Sequence, residues 1–398
     1  MENDRTIDTN IHTDINTNTA WKYYVEDYWD IVVGVFAILV AFAFHKNGQG
    51  GMATIMAAVG IAALSLTVAE VAEILSERLQ EPYGSMVLTF SAVVVEIILL
   101  YIILLEAVHS PEVIETVKGG IISAIIVDMN VLLGLAVFIG GLKFTEQQHN
   151  KETSSTYTTI LLVTALALLV PSLLSESSHG FEVIKQTSII VAGVLMLFYI
   201  IIFIFQTKTH THFFKATAKS RIFRLKRKMQ GLDQEIDESQ HSDYVFEKFN
   251  NFGNFIAIFL LILVIALGAE IFATDGVKLA KEYGVSAGLS GLIIAIVAVA
   301  PEIFTAIKAA RNDQIQRVIN IAMGASVVSI LLTVPILLML AYASGIDLLL
   351  DFNSLQIGAL IMTIILAWKS TEEGNTNYFE GMSHLMFFVC YTIIATYY

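Results

Sequence analysis

Apolar stretches of about 17–25 residues recur nine or more times along this 398-residue chain. That is the length a helix needs to cross the roughly 30 Å hydrocarbon layer of a bilayer. Composition agrees: 56% of residues are apolar and 15% charged, with a mean hydropathy of +0.70. Soluble domains run nearer about 45–50% and about 25%. An assembly of two or three soluble domains is therefore excluded, and the chain reads as an all-α polytopic membrane protein.

The apolar runs place eleven helices at about 30–44, 51–76, 84–108, 117–142, 157–174, 188–206, 252–277, 286–310, 318–343, 355–369 and 381–397. Before the first lies an acidic, Asn/Thr-rich stretch without the basic region and apolar core of a signal peptide. Residues 1–29 are expected to be a disordered cytoplasmic tail. Trp21, Tyr23, Tyr24, Tyr28 and Trp29 suit an interfacial aromatic belt before the helix at 30–50. The one long polar interruption, 207–250, runs from basic (Lys219, Arg221, Arg224, Lys226, Arg227, Lys228) to acidic (Asp233, Glu235, Asp237, Glu238, Asp243, Glu247). It separates a first repeat, 51–206, from a second, 251–398.

Charge counting sets the orientation. With 207–250 in the cytoplasm, 18 of the 23 Lys and Arg residues lie on that side, and only Lys46, Lys118, Lys185, Lys278 and Lys281 lie opposite. The positive-inside rule then puts the N-terminus in the cytoplasm and the C-terminus outside. The net charge of −13 argues against a nucleic-acid partner. The single cysteine, Cys390, excludes an intrachain disulfide and reads as packing in the last helix.

Setting the first helix aside leaves five helices on each side of the linker, and the two halves echo each other. "VAE" at 68–70 and "GAE" at 268–270 each lie late in the opening helix of a half, and the next helix carries a central glutamate, Glu96 or Glu302. An odd number of helices per copy inverts the second copy, and inverted repeats place a transport site at the midplane between them.

A carboxylate at the bilayer centre costs about 2.5–3.5 kcal/mol on insertion scales. No obvious buried cation pairs with Glu96 or Glu302, so a cation site is a better reading than packing. Pro301 displaces the carbonyl of Val297 from its helical bond, offering a hard oxygen beside Glu302. The next helix of each half adds Asp128 and Asn130, and Ser326, Ser329 and Thr333, as candidates for the oxygen shell. Glu70, Glu73 and Glu77 share one helix face near the cytoplasmic end, while Glu270 and Asp275 lie toward the outer end of the related helix; these read as acidic access paths. There is no HExxH, no phosphate loop and no GxSxG, so an enzyme is not expected and no cofactor is called for.

These features together resemble the cation/Ca²⁺ exchanger superfamily, its Ca²⁺/H⁺ antiporter branch and within it the bacterial sodium/calcium–proton antiporters. The resemblance rests on "AEVAEILSERLQEPYGSMVLTFSAVVVEI", "NVLLGLAVFIGGLKFTEQQHN", "APEIFTAIKAARNDQIQRVINIAMGAS" and the acidic linker, over about 51–397. It implies that Glu96 and Glu302 are paired transport glutamates, in a bacterial plasma membrane. The Gly-Asn that precedes each glutamate in the family reads Ala92-Val93 and Ala298-Val299 here, and a glutamine expected in the ninth helix is Val328. Fewer amide oxygens leave room for Na⁺ or K⁺ beside Ca²⁺. The expectation is an antiporter whose partners are inorganic cations, protons and the lipid bilayer, with a homo-oligomer left open. Its rivals are an Na⁺(K⁺)/H⁺ antiporter on the same glutamates and, in another class, a cation channel with acidic rings.

Overall fold

The computed structural model describes residues 11–79, 83–177, 180–215 and 244–397. Among these residues are eleven helices long and apolar enough to cross a membrane. They are α1 (Ile11–Lys46), α2 (Gly50–Arg78), α3 (Tyr83–Leu105), α4 (Val113–Phe144), α5 (Lys151–Glu176), α6 (Phe181–Ile204), α7 (Asn251–Tyr283), α8 (Ala287–Arg311), α9 (Ile315–Ala343), α10 (Ser354–Thr371) and α11 (Tyr378–Ala395). The α2–α6 and α7–α11 sets are the two five-helix halves. Two short strands, β1 (Glu146–Gln148) and β2 (Asn375–Asn377), pair antiparallel with Glu146 opposite Asn377. They stitch together chain segments that leave the membrane on the linker side.

Two sequence expectations change. Helix α1 begins at Ile11, so the stretch expected to be a disordered tail is helical from there to residue 29. No proline or glycine precedes Gly34 to stop a helix that the apolar segment nucleates. Residues 1–10 and the charged runs at 219–243 lie outside the described residues. Cys390 is exposed on the outer face of α11 and does not pack in the core.

Burial identifies the middle of the bundle. In the most apolar window of α4, 83% of residues are buried, and in that of α9, 72%, against 28% for α1 and α6. The pseudo-equivalent α4 and α9 are therefore the central pair, and the helices with low burial turn apolar surface outward, as lipid-facing helices do. Helix α2 lies along α7 and α1, α8 lies along α4, and α11 lies along the second half of α4.

Glycine allows the closest of these approaches. A Cβ added at Gly291 of α8 would collide with the backbone of Gly119 and Gly120 of α4. One added at Gly381 of α11 would collide with the backbone of Gly134 and Phe138. Small residues at such crossings let helices approach where no hydrophobic driving force separates protein from lipid.

Each central helix is interrupted once. A π-helical turn occupies Asp128–Leu132 in α4 and Ser329–Thr333 in α9. Such turns alter which side chains face inward and recur at functional sites. Here they sit at related positions of the two halves, and both carry polar residues predicted for the site.

Candidate cation site

The two π-turns meet the two mid-membrane glutamates at the centre of the bundle. From the turn in α9, Ser329 Oγ donates to both carboxylate oxygens of Glu96, at 3.1 and 2.9 Å, and Thr333 Oγ1 donates to Oε2 at 3.0 Å. A glutamate of the first half is thus oriented by hydroxyls of the second. From the turn in α4, Asp128 Oδ2 accepts from Ser326 Oγ of α9 at 3.2 Å. Asp128 Oδ1 is buried and has no hydrogen-bond partner among the described residues. Glu302 of α8 makes no hydrogen bond among the described residues, and it lines the same cavity as Glu96 and Asp128.

The charges that act on these three acids are one another's. Asp128 feels Glu302 and Glu96, Glu302 feels Glu96, and among the described residues no lysine or arginine acts on any of the three. Three acids brought together in a low-dielectric interior without a basic partner must hold protons or a cation. Ser65 of α2 adds to the cavity wall a second buried oxygen without a partner among the described residues. The sequence reading missed Ser65, because a serine in an apolar helix carries no local signal of which way it faces.

The cavity holds about 480 Å³ and runs from the three acids toward the linker side, where Glu73, Gln206, Lys215, Arg317 and Asn320 line it. Glu73 of α2 is ion-paired with Arg317 of α9 at this mouth. The start of the linker is tied across the same mouth. Asn150 Nδ2 donates to the Phe213 carbonyl and Asn320 Nδ2 to that of Phe214, both at 2.9 Å. Thr153 also donates to the Phe213 carbonyl. Beside this belt His149 is buried, and desolvation pushes its imidazole down to about 4, so it stays neutral near pH 7.

The two related interfaces are unequal. Helix α8 packs on α4 far more extensively than α3 packs on α9. The open side therefore lies between α3, α9 and the linker, and the Gly119–Gly291 contact closes the opposite side.

The remaining predicted residues fall elsewhere. Asn130 donates to Ile126 O at 3.1 Å and to Thr363 Oγ1 at 3.0 Å, and its Oδ1 pairs with His384 Nδ1 at 3.0 Å. Two residues along a helix turn it to the face opposite Asp128, so it joins α4 to α10 and α11 and does not reach the cavity. Val297 packs against the core and is not part of the cavity wall, since five residues place it about 140° around α8 from Glu302. Glu70 and Glu270 are exposed and also lie off the cavity. Asp275 pairs with His45 of α1 at 2.7 Å. The side chain of Glu77 lies outside the described residues.

The family described as sodium/calcium exchanger protein matches this chain over residues 50–208 and 253–397, leaving out α1 and most of the linker. The sodium-potassium/proton antiporter ChaA of Escherichia coli (strain K12) is 26% identical over 373 residues, covering 92% of this chain and 96% of that protein. A Ca²⁺/H⁺ antiporter of Synechocystis is 25% identical over 370 residues, covering 92% and 95%. Among solved structures, native YfkE superposes with a TM-score of 0.73 at 19% identity, covering 92% of this chain and 99% of its own. The H⁺/Ca²⁺ exchanger CAX does so with a TM-score of 0.66 at 14% identity, covering 93% and 91%. At these identities the structures establish the fold.

Proposed function

Because the chain belongs to the sodium/calcium exchanger protein family, we propose that it is a cation/proton antiporter that exports Ca²⁺ in exchange for entering protons. The observation that carries this reading is the cluster of Glu96, Asp128 and Glu302, which has no basic partner among the described residues. A carboxylate that binds a cation cannot keep its proton, so occupancy by one ion excludes the other. That exclusion is the coupling. The donor set is all hard oxygen, as Ca²⁺ prefers, and a dication offsets more of a threefold negative charge than Na⁺ does. Glu96 is held by Ser329 and Thr333 in a fixed orientation, while Glu302 is free to move onto an arriving ion. Alternating access would follow when the closed α4–α8 contact opens and the α3–α9 side closes around the same site.

An Na⁺(K⁺)/H⁺ antiporter on the same acids is the second reading, favoured by the similarity to ChaA. Everted vesicles with an imposed pH gradient separate the two: Ca²⁺ is expected to dissipate the gradient at lower concentration than Na⁺ or K⁺. The half-saturating cation concentration should rise as pH falls, because protons reclaim the carboxylates. Linkage sets the limit at about tenfold per pH unit for each proton displaced, so the Ca²⁺ profile should be steeper than the Na⁺ profile. Dissipation by Na⁺ or K⁺ alone would select the second reading. A profile flat for every ion would remove direct competition as the mechanism.

The proposal places the linker in the cytoplasm and the membrane as a bacterial plasma membrane. In a Cys390→Ser background, Lys208→Cys should react with an impermeant thiol reagent only from the cytoplasmic face, and Lys281→Cys only from outside. Both positions are exposed. Reaction of both from a single face would break this topology.

A further inference from the structure

A second pair of acids lies outside the cavity, between α1, α2 and the end of the linker. Asp30 of α1 is 1% exposed. Its Oδ2 accepts from Thr67 Oγ1 of α2 at 2.5 Å, and its Oδ1 is buried without a partner among the described residues. One turn further along α2, Glu70 feels the charge of Asp30. Glu70 also accepts from the phenol of Tyr244 at 3.1 Å. The Tyr244 ring lies 5.4 Å from that of Tyr28, whose hydroxyl accepts from the Val245 N–H at 2.8 Å.

The groups whose charge reaches this pair are Glu73 on α2, Lys308 of α8, and the phenols of Tyr28 and Tyr244. Among the described residues Lys308 is the one cation in this set, and it acts on Glu70. Burial, reinforced by Glu70, pushes the Tyr244 phenol up, so it remains a donor and supplies no charge. A buried carboxylate beside a second acid, with one oxygen lacking a partner among the described residues, is costly when ionised and relieved by a proton. Two carboxylates with a threonine and two phenols make a poor metal site but a sufficient proton site.

We propose that Asp30 and Glu70 form a proton-binding site separate from the transport cavity, joining α1 and the end of the linker to the cavity-lining helix α2. Ser65, Val68, Ala69 and Glu73 line the cavity from the other face of the same stretch of α2. A proton gained or lost at the pair therefore alters the packing of a cavity wall without entering the cavity. Asp30, Tyr28 and Tyr244 lie outside the residues matched by the family, whereas Thr67 and Glu70 lie within them, so the site joins a segment outside the family match to a helix inside it.

Infrared difference spectra of the purified full chain across about pH 5 to 9 test this directly and need no transport. The wild type should show a titrating protonated-carboxyl C=O band that is lost in Asp30→Asn and kept in the Glu96→Gln/Glu302→Gln double variant. Asn keeps an acceptor for Thr67, so the fold should survive. Thr67→Val removes the hydrogen bond without removing the acid, and should shift the same band while retaining it. A band unchanged in either Asp30→Asn or Thr67→Val would overturn the proposal, whatever ion the cavity transports.

Discussion

Vesicles carrying Glu96→Gln or Glu302→Gln are expected to lose cation-driven proton release by more than about a hundredfold, equivalent to about 2.7 kcal/mol of lost stabilisation. The protein should insert and fold in both. Gln at position 96 offers Oε1 to the hydroxyls of Ser329 and Thr333, so the bonds that orient the side chain survive. At position 302 there is no hydrogen bond to lose among the described residues, and the change removes charge alone. An amide can neither take up a proton nor balance a cation at neutral pH. The two variants therefore separate the chemistry of the site from its packing. Exchange at near wild-type rate in either variant would show that the paired glutamates do not carry the ions.

The second large effect is expected far from any charge. Gly291→Val should abolish exchange and lower the unfolding temperature in detergent, because its side chain must occupy space held by the backbone of Gly119 and Gly120. Overpacking costs typically about 1–3 kcal/mol where the neighbour can give. Here the neighbour is a central helix, and moving α8 away from α4 also moves Glu302 away from Asp128. The control is Gly193→Val on α6, where nothing lies within 4 Å of an added Cβ. Equal behaviour of the two variants would mean that close approach of α4 and α8 is not what seals the side opposite the cavity.

Hydropathy determined the eleven helices and the break at the linker. The cost of moving a segment into hydrocarbon is close to a sum over its own residues, so no tertiary information is needed to find it. The same logic exposed Glu96, Asp128 and Glu302: an acid in the middle of an apolar helix is unfavourable wherever that helix sits. The ends of helices were less legible. The start of α1 at Ile11 depends on the absence of a stop signal, which hydropathy does not measure.

The construction of the site was a matter for the tertiary structure. Asp128 and Asn130 are equally polar and two residues apart, on opposite faces of α4, and only the packing of that helix decides that one meets the cavity and the other Thr363 and His384. The hydroxyls of α9 hold Glu96 from 233 and 237 residues away in sequence, and Arg317 meets Glu73 at a separation of 244. Nothing local encodes these pairings, because they follow from which helix faces pack together. The inequality of the two halves is equally hidden. Two related sequences can pack open on one side and closed on the other, since that choice rests on small differences between interfaces summed over the whole bundle.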